Sequence, residues 1–172
     1  MQTVTHSNVP VLSLREIHRD DVPMVSELAA RVWRKHYAPD IVSMEQIEYM
    51  IPRTCSEAAI INGMNEKKQR GWMVFDGPAL SGYTIVESRA PGTIFIDKLY
   101  VDIPKQRTGY GTALLQHVIK ELHPKELALR VNRRNFSALN FYFKHGFIIE
   151  ALHTLDIGGG YVMDDFLMKK TG

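Results

Sequence analysis

The sequence predicts one α/β domain, built on a mixed and mostly antiparallel β-sheet of about seven strands with helices on both faces. Runs of alternating apolar residues, typical of strands, interleave with apolar residues at helical spacing along the 172-residue chain. Three consecutive strand-like runs are joined by short turns, which makes them antiparallel. A later strand, helix and strand form a right-handed crossover, which makes its two strands parallel.

The composition fits a soluble globular domain that spans residues 1–172. Apolar residues make up 45% of the chain and charged residues 23%, and the formal charge of +2 does not suggest a nucleic-acid partner. Cys55 is the sole cysteine, so no internal disulfide can form, which fits a reducing cytosol. No apolar run approaches ~18 residues, and Met1–Pro10 lacks the apolar core of a signal peptide. We therefore expect a cytoplasmic protein without a membrane span.

The first third of the chain predicts a strand followed by helices. Val11–Ile17 alternates in the manner of a strand. Asp20, Asp21 and Pro23 mark the start of a helix. The apolar face of that helix is formed by Val25, Leu28, Ala29, Val32 and Trp33.

Two shorter helices are expected next. Ser43 and Gln46 have the spacing of a capping box, and the helix that they begin should stop at Pro52. Ser56–Asn62 predicts a third helix, with Gly63 as its C-terminal stop.

The remainder of the chain carries most of the strands. The predicted strands are Trp72–Phe75, Leu80–Glu87, Thr93–Val101, Leu127–Asn132, Phe147–Leu155 and Tyr161–Lys169. Asp76-Gly77-Pro78 is a turn between the first two of them, and a glycine loop, residues 158–160, joins the last two. Thr112–Leu122 predicts a helix, and so does Asn135–His145, which Asn135 caps and Gly146 ends.

The segment Gln106-Arg107-Thr108-Gly109-Tyr110-Gly111 lies between a predicted strand and a predicted helix and suits an anion. Its two glycines let a phosphate approach the backbone, and the helix N-terminus offers unpaired N–H donors. A P-loop is excluded, because Gly111-Thr112-Ala113 contains no lysine. A dinucleotide fingerprint needs a third glycine where Leu114 stands. From these residues alone, an ordinary glycine turn before a helix is the remaining alternative.

Two spaced patterns together resemble the GCN5-related N-acetyltransferase (GNAT) superfamily. Gln106-x-x-Gly109-x-Gly111, which follows Leu99-Tyr100-Val101, resembles the pyrophosphate loop of that family. Val131-x3-Asn135-x2-Ala138-x3-Tyr142-x3-Gly146-Phe147 resembles the strand and helix that follow it. The resemblance covers about Thr93 to Lys169 and implies acetyl transfer from acetyl-CoA to an amine, without a metal. It also implies a sheet that is splayed between its fourth and fifth strands.

The resemblance implies a set of contacts to CoA. Strand residues would offer main-chain groups to pantetheine in the manner of an added strand, and the loop N–H groups would hold the pyrophosphate. The residues assigned to CoA are Leu99, Tyr100, Val101, Gln106, Arg107, Thr108, Gly109, Tyr110, Gly111, Thr112, Asn135 and Lys144. Among them, Tyr110 is expected to pack and Asn135 to double as a helix cap. For Arg107 and Lys144 the alternative is a solvated surface side chain.

The same resemblance makes Tyr142 the catalytic acid. A phenol with a pKa of about 10 can protonate a leaving thiolate, whose pKa is about 8.5. The alternative is a core aromatic beside Phe141 and Phe143. Asp97 is the candidate base or substrate ligand, because a lone acid within Ile94–Val101 is costly unless it is paired or functional. Pairing of Asp97 elsewhere, and direct attack with a water chain as the proton acceptor, are the alternatives.

The acceptor amine is expected to lie between the first helix and the loop that joins the last two strands. Aromatic and acidic side chains in these segments suit a cationic amine. The residues predicted to contact it are Trp33, His36, Tyr37, Tyr161 and Asp164. Asp156 and Asp165 lie in the same region, and Asp164 and Asp165 are equally typical of solvated residues at the start of a strand.

The segment Asp164–Lys170 also resembles bacterial acetyltransferases related to the polyamine-acetylating PaiA type, so a polyamine is the first expectation. The other acceptors left open are a peptide or protein N-terminus, an amino acid and an aminoglycoside. A catalytically silent module that binds acyl-CoA is an alternative of a different class, although Tyr142 argues against it. Family members are often dimers, so the resemblance also suggests a homodimer.

Overall fold

The computed structural model describes residues 12–172, which form a seven-stranded sheet with helices on both faces. The strands are β1 (Leu12–Glu16), β2 (Arg70–Asp76), β3 (Ala79–Ala90), β4 (Thr93–Val101), β5 (Glu126–Asn132), β6 (Ile148–Gly158) and β7 (Tyr161–Thr171). The helices are α1 (Val22–Val32), α2 (Met44–Thr54), α3 (Glu57–Glu66), α4 (Tyr110–Leu122) and α5 (Phe136–Lys144). Val11 and the Met1–Pro10 segment, which figured in the sequence predictions, lie outside the described residues.

The sheet has the order β1-β2-β3-β4-β5-β7-β6, and β4 and β5 form its parallel pair. The other neighbouring strands are antiparallel. The prediction of a mixed, mostly antiparallel sheet is therefore confirmed. No helix within residues 12–172 has the length and apolar character that a membrane span requires.

Each face of the sheet carries its own hydrophobic core. The first core contains buried side chains of α4 and α5, such as Leu114 and Leu139, packed with inward-facing residues of the central strands. The second contains side chains of α1, α2 and α3, such as Val25, Ile47 and Ile60. The predicted apolar face of the first helix is fully buried in this second core.

Two predicted helix ends are wrong. α2 continues through Pro52, because a proline removes a single N–H and this ring is exposed. The Thr54 hydroxyl donates to the Met50 carbonyl over 2.9 Å and supports the last turn. α3 continues beyond Gly63, whose missing side chain leaves room for Gln69: an added Cβ would lie 2.1 Å from the Gln69 Oε1, so that side chain would have to move.

A π-helical turn, Trp33–Tyr37, extends α1. Such wide turns are rare and are frequently found at functional sites. Here the turn brings the Trp33 and Tyr37 rings together, with their centroids 5.1 Å apart in a stacked arrangement. Both rings face Tyr100 of β4 edge-on.

The parallel pairing between β4 and β5 stops halfway along β4. The last paired residues are Ile96 and Leu129, so residues 97–101 have no strand partner on the β5 side among residues 12–172. On the other side, Ile85 of β3 pairs with Lys98 and Val86 pairs with Ile96, so Asp97 is an extra residue in the β4 strand. A bulge of this kind bends a strand and ends its pairing. The splay between the fourth and fifth strands is therefore present.

Candidate active site

A cavity of about 840 Å³ lies where β4 and β5 separate. Its wall is formed by the second half of β4, the loop before α4, the α5 helix, the π-helical turn and the hairpin of β6 and β7. The size and position suit a small-molecule substrate, because ligand cavities usually measure roughly 300–1,000 Å³. The splay of the sheet thus creates the site.

At one end of the cavity, the loop before α4 presents a row of backbone donors. Within the described part of the chain, the N–H groups of residues 107–112 have no hydrogen-bond partner. Arg107 and Gly109 have φ angles of +62° and +94°, and the space beside Gly109 is open. Free N–H groups beside a helix N-terminus bind phosphate groups, so this loop has the donors that a pyrophosphate needs.

Gly111 has a different role from Gly109. An added Cβ at Gly111 would lie 3.3 Å from Cε2 of Phe141 and 3.6 Å from Cγ2 of Val101. The missing side chain thus lets the start of α4 pack closely against α5 and β4. Gly109 keeps the cradle open, whereas Gly111 fixes its position.

Two side chains predicted to donate to a phosphate have partners within the protein. The Thr112 hydroxyl lies 3.1 Å from Nε2 of His145. His145 Nδ1 lies 2.8 Å from the Phe141 carbonyl, which can only accept a hydrogen bond, so Nδ1–H donates to it and Nε2 of the neutral ring accepts from the Thr112 hydroxyl. The Gln106 amide donates to the Val101 carbonyl over 3.3 Å. His145 also lines the cavity, and no pattern in the sequence singled it out.

Most of the residues assigned to CoA line the cavity. They are Leu99, Tyr100, Val101, Gln106, Arg107, Gly109, Gly111, Thr112, Asn135 and Lys144. Thr108 and Tyr110 do not belong to its wall. The Thr108 hydroxyl donates to the Lys105 carbonyl instead, and Tyr110 is only 2% exposed and packs in the core, as its position predicted.

Asn135 both caps a helix and lies in the cavity wall, the two positions expected for it. Its Oδ1 accepts from the Ala138 N–H over 3.1 Å and caps α5. The same residue is 3% exposed and lines the cavity, close to the phenol of Tyr37.

Both predicted catalytic residues lie in the cavity wall. Tyr142 is 7% exposed, and within residues 12–172 no protein group hydrogen-bonds its hydroxyl. Burial, together with the nearby Tyr37, raises the pKa of Tyr142, so the phenol keeps its proton at neutral pH. Asp97 forms an ion pair with its neighbour Lys98, which was one of the alternatives drawn from the sequence.

Aromatic residues of the π-helical turn form another part of the cavity wall. Trp33, His36 and Tyr37 all line it. The His36 and Tyr37 rings meet edge-on with centroids 5.5 Å apart. Burial raises the pKa of Tyr37 to about 12, partly offset by the neighbouring Asn135 and Tyr100.

Tyr161 and Asp164 were predicted to contact the acceptor, but they lie outside the cavity wall. Tyr161 packs on Tyr49 of α2, with ring centroids 5.1 Å apart. Asp164 pairs with Arg133 and accepts from the Thr154 hydroxyl. Side chains alternate along a strand, so Asp164 faces away from the side of β7 that lines the cavity.

Asp165 faces the cavity instead, as does Met163 two residues before it. The sequence analysis placed Asp165 in the right region but did not select it. The signal was present in the alternation of β7: counting back from the buried Met168 in the α4 and α5 core assigns Asp165 to the opposite face.

The comparisons with known proteins agree with this geometry. The Acetyltransferase (GNAT) domain family matches residues 38–153. The PaiA N-acetyltransferase from Thermoplasma acidophilum, solved in complex with coenzyme A, is 25% identical in sequence, and the superposition covers 94% of this chain and 99% of that one at a TM-score of 0.77. No curated protein matches the chain.

Two more distant structures show the same fold. A GCN5-related N-acetyltransferase from Rhodopseudomonas palustris is 20% identical, covers 95% of this chain and 96% of its own, and has a TM-score of 0.77. The ribosomal-protein-S18-alanine N-acetyltransferase from Escherichia coli is 19% identical, covers 94% of each chain and has a TM-score of 0.69.

Proposed function

The chain belongs to the GNAT acetyltransferase family and is an acetyl-CoA-dependent N-acetyltransferase, and we propose that its acceptor is a cationic primary amine of the polyamine class. One observation carries the proposal: the wall of a single cavity contains the phosphate-binding loop as well as aromatic and acidic side chains. Of the two classes drawn from the sequence, the enzyme is the one that the family supports.

Acetyl-CoA supplies an activated acetyl group as a thioester. The backbone N–H groups of residues 107–112 would hold its pyrophosphate through charge-assisted hydrogen bonds. The β4 residues 97–101 have a free edge on the β5 side, which supports docking of the pantetheine amides as an added strand. Leu99 and Asn135 line this part of the cavity and would contact the pantetheine.

We propose that the Tyr142 hydroxyl donates the proton that the leaving sulfur receives. Its hydroxyl has no competing partner within the described residues, and its raised pKa keeps the proton in place until the thiolate forms. The amine is proposed to attack the thioester carbon directly. Asp97 is already paired with Lys98, so we favour loss of the amine proton to water in the cavity, and a basic role for Asp97 stays a prediction.

The acceptor end favours an alkyl amine over the other acceptors. Leu155, Ile157 and Met163 add apolar surface beside the aromatic rings, which suits a methylene chain. Aromatic faces attract the ammonium of such a molecule. An aminoglycoside would need polar partners for its many hydroxyls, and this wall offers few. The 25% identity with a PaiA N-acetyltransferase points in the same direction.

The decisive experiment is an acetyl-transfer assay that follows thiol release from acetyl-CoA. The panel contains spermidine, a peptide with a free N-terminus, an amino acid and an aminoglycoside. We expect spermidine to give the highest kcat/KM. Turnover with the peptide or the aminoglycoside but not with spermidine would show that the acceptor class is wrong. Absence of turnover with every amine would overturn the proposal as a whole.

A further inference from the structure

A buried carboxylate in the cavity wall, that of Asp165, has no direct ion-pair partner within residues 12–172. Asp165 is 6% exposed, and its Oδ1 is fully enclosed without a hydrogen-bond partner among residues 12–172. A buried charge normally costs stability unless it is paired. The Asp165 side chain lines the cavity, so a ligand can reach it.

The basic side chains around this carboxylate leave it unpaired. On β5, Arg130 and Asn132 are close to Asp165, and Asn132 is its register partner. On β6, His153 lies directly opposite, with its own Nδ1 buried and without a partner among the described residues. Asp164 adds a second negative charge nearby. Neither Arg130 nor His153 forms a hydrogen bond or ion pair with Asp165.

Desolvation raises the pKa of Asp165, although Arg130 and His153 oppose the shift. The upward direction of this pKa shift determines how Asp165 affects the stability of the free protein. The stability gained from protonation of Asp165 is complete below the unfolded pKa of about 3.9 and is lost as the pH rises through the raised folded pKa. The ionised carboxylate therefore destabilises the free protein at neutral pH. A bound cation would relieve that burden.

The position of Asp165 separates it from the reacting centre. The charge of Asp165 raises the pKa of Tyr37, and Tyr37 in turn raises that of Tyr142. Tyr37 is therefore near both the carboxylate and the proposed acid. In the sheet, Asp165 stands on β7, on the far side of β5 from the splayed β4. An ammonium at Asp165 would thus be held on a different strand from the β4 residues that are proposed to hold the thioester.

We propose that Asp165 binds the second, non-reacting ammonium group of the acceptor, which makes the acceptor an alkyl diamine or polyamine. The inference rests on the proposed function and deepens it. The apolar side chains of Ile157 and Met163 would contact the methylene chain between the two nitrogens. An α-amino acid without a cationic side chain would gain nothing from Asp165, because it has no second ammonium group.

The test compares 1,4-diaminobutane with n-butylamine, which has the same carbon chain and lacks the second ammonium. Wild-type enzyme should have a higher kcat/KM for the diamine. In Asp165→Asn we expect the ratio of the two kcat/KM values to fall by about tenfold to a hundredfold, the usual effect of losing a hydrogen-bonded ion pair. Asp164→Asn is the matched control, since Asp164 lies outside the cavity, and it should keep the wild-type ratio.

A binding measurement removes the dependence on turnover. Calorimetry should detect 1,4-diaminobutane binding to the wild-type complex with CoA, and the Asp165→Asn complex should lose it while CoA affinity stays unchanged. The thermal midpoint of Asp165→Asn should equal or exceed that of wild type, because a buried unpaired charge is removed.

The outcomes separate the two proposals. Failure of the wild type to acetylate either amine would overturn the proposed function. Acetylation of both amines with equal kcat/KM would leave that function standing and overturn the role of Asp165. An unchanged ratio in folded, active Asp165→Asn would do the same.

Discussion

Removing the Tyr142 hydroxyl should separate catalysis from stability. The hydroxyl has no partner within residues 12–172, and the ring is 93% buried by the packing that Phe would retain. Replacing an unpartnered buried polar group with an apolar one is close to neutral, so the free energy of unfolding of Tyr142→Phe should stay within ~1 kcal/mol of wild type or rise. A lost general acid, by contrast, should lower kcat by about 10²–10⁴.

The assay measures thiol release from acetyl-CoA at saturating spermidine, together with urea unfolding of the same preparations. Tyr83→Phe is the matched control: the Tyr83 hydroxyl is also buried without a partner among the described residues, but it lies in the core and outside the cavity wall. We expect Tyr83→Phe to keep the wild-type kcat. If Tyr142→Phe turned over at the wild-type rate, the assignment of the acid would be wrong. Equal losses in both variants would point to packing as the cause.

Three further predictions concern the loop, the pH dependence and the cap of α5. Gly109→Val should weaken CoA binding about tenfold or more by blocking the cradle. Gly77→Val, also at an open position with positive φ, is the control: it should have the same backbone strain of ~1–3 kcal/mol without the loss of CoA binding. The hydrogen bond from Arg15 lowers the pKa of Asp21, so Asp21→Asn should cost ~1–2 kcal/mol in urea unfolding at pH 7, and the difference should vanish as the pH falls through the folded pKa of Asp21, below about 3.9. Asn135→Ala should lose ~1 kcal/mol of stability while Asn135→Ser keeps the cap, and calorimetry should show weaker CoA binding for both.

Each of these has a clear contrary result. Wild-type CoA affinity in Gly109→Val would place the pyrophosphate elsewhere. A stability difference for Asp21→Asn that persisted at pH 2 would show that the ion pair is not its source. Full CoA affinity in Asn135→Ser would restrict Asn135 to capping.

The fold could be predicted largely from local patterns. β4 is observed with the bounds that its apolar run predicted, and Ser43, Ser56 and Asn135 cap their helices as side-chain acceptors. The errors arose where tertiary contacts override local propensity. The Gly63 position depends on Gln69, a contact that no local pattern encodes.

The site was predictable where the backbone is the functional group. The loop between β4 and α4 needs glycines at fixed positions, and these are visible in the sequence. Side-chain partners were less accessible, because Thr112 and His145 meet across 33 positions. The choice between Asp164 and Asp165 depended on strand alternation, which shows only when the register of β7 is known.

The bulge at Asp97 links the length of β4 to its function. Before the bulge, Ile94 and Ile96 face the α4 and α5 core; after it, Leu99 and Val101 do, so the inward positions change from even to odd numbers. Deleting Asp97 would restore a continuous alternation and keep Leu99 and Val101 on the inward face of the sheet. It would also let β4 pair with β5 beyond Ile96 and close the gap. The gap between β4 and β5 thus depends on the number of residues in β4. It would tolerate a change of side chain in this strand better than a change of its length.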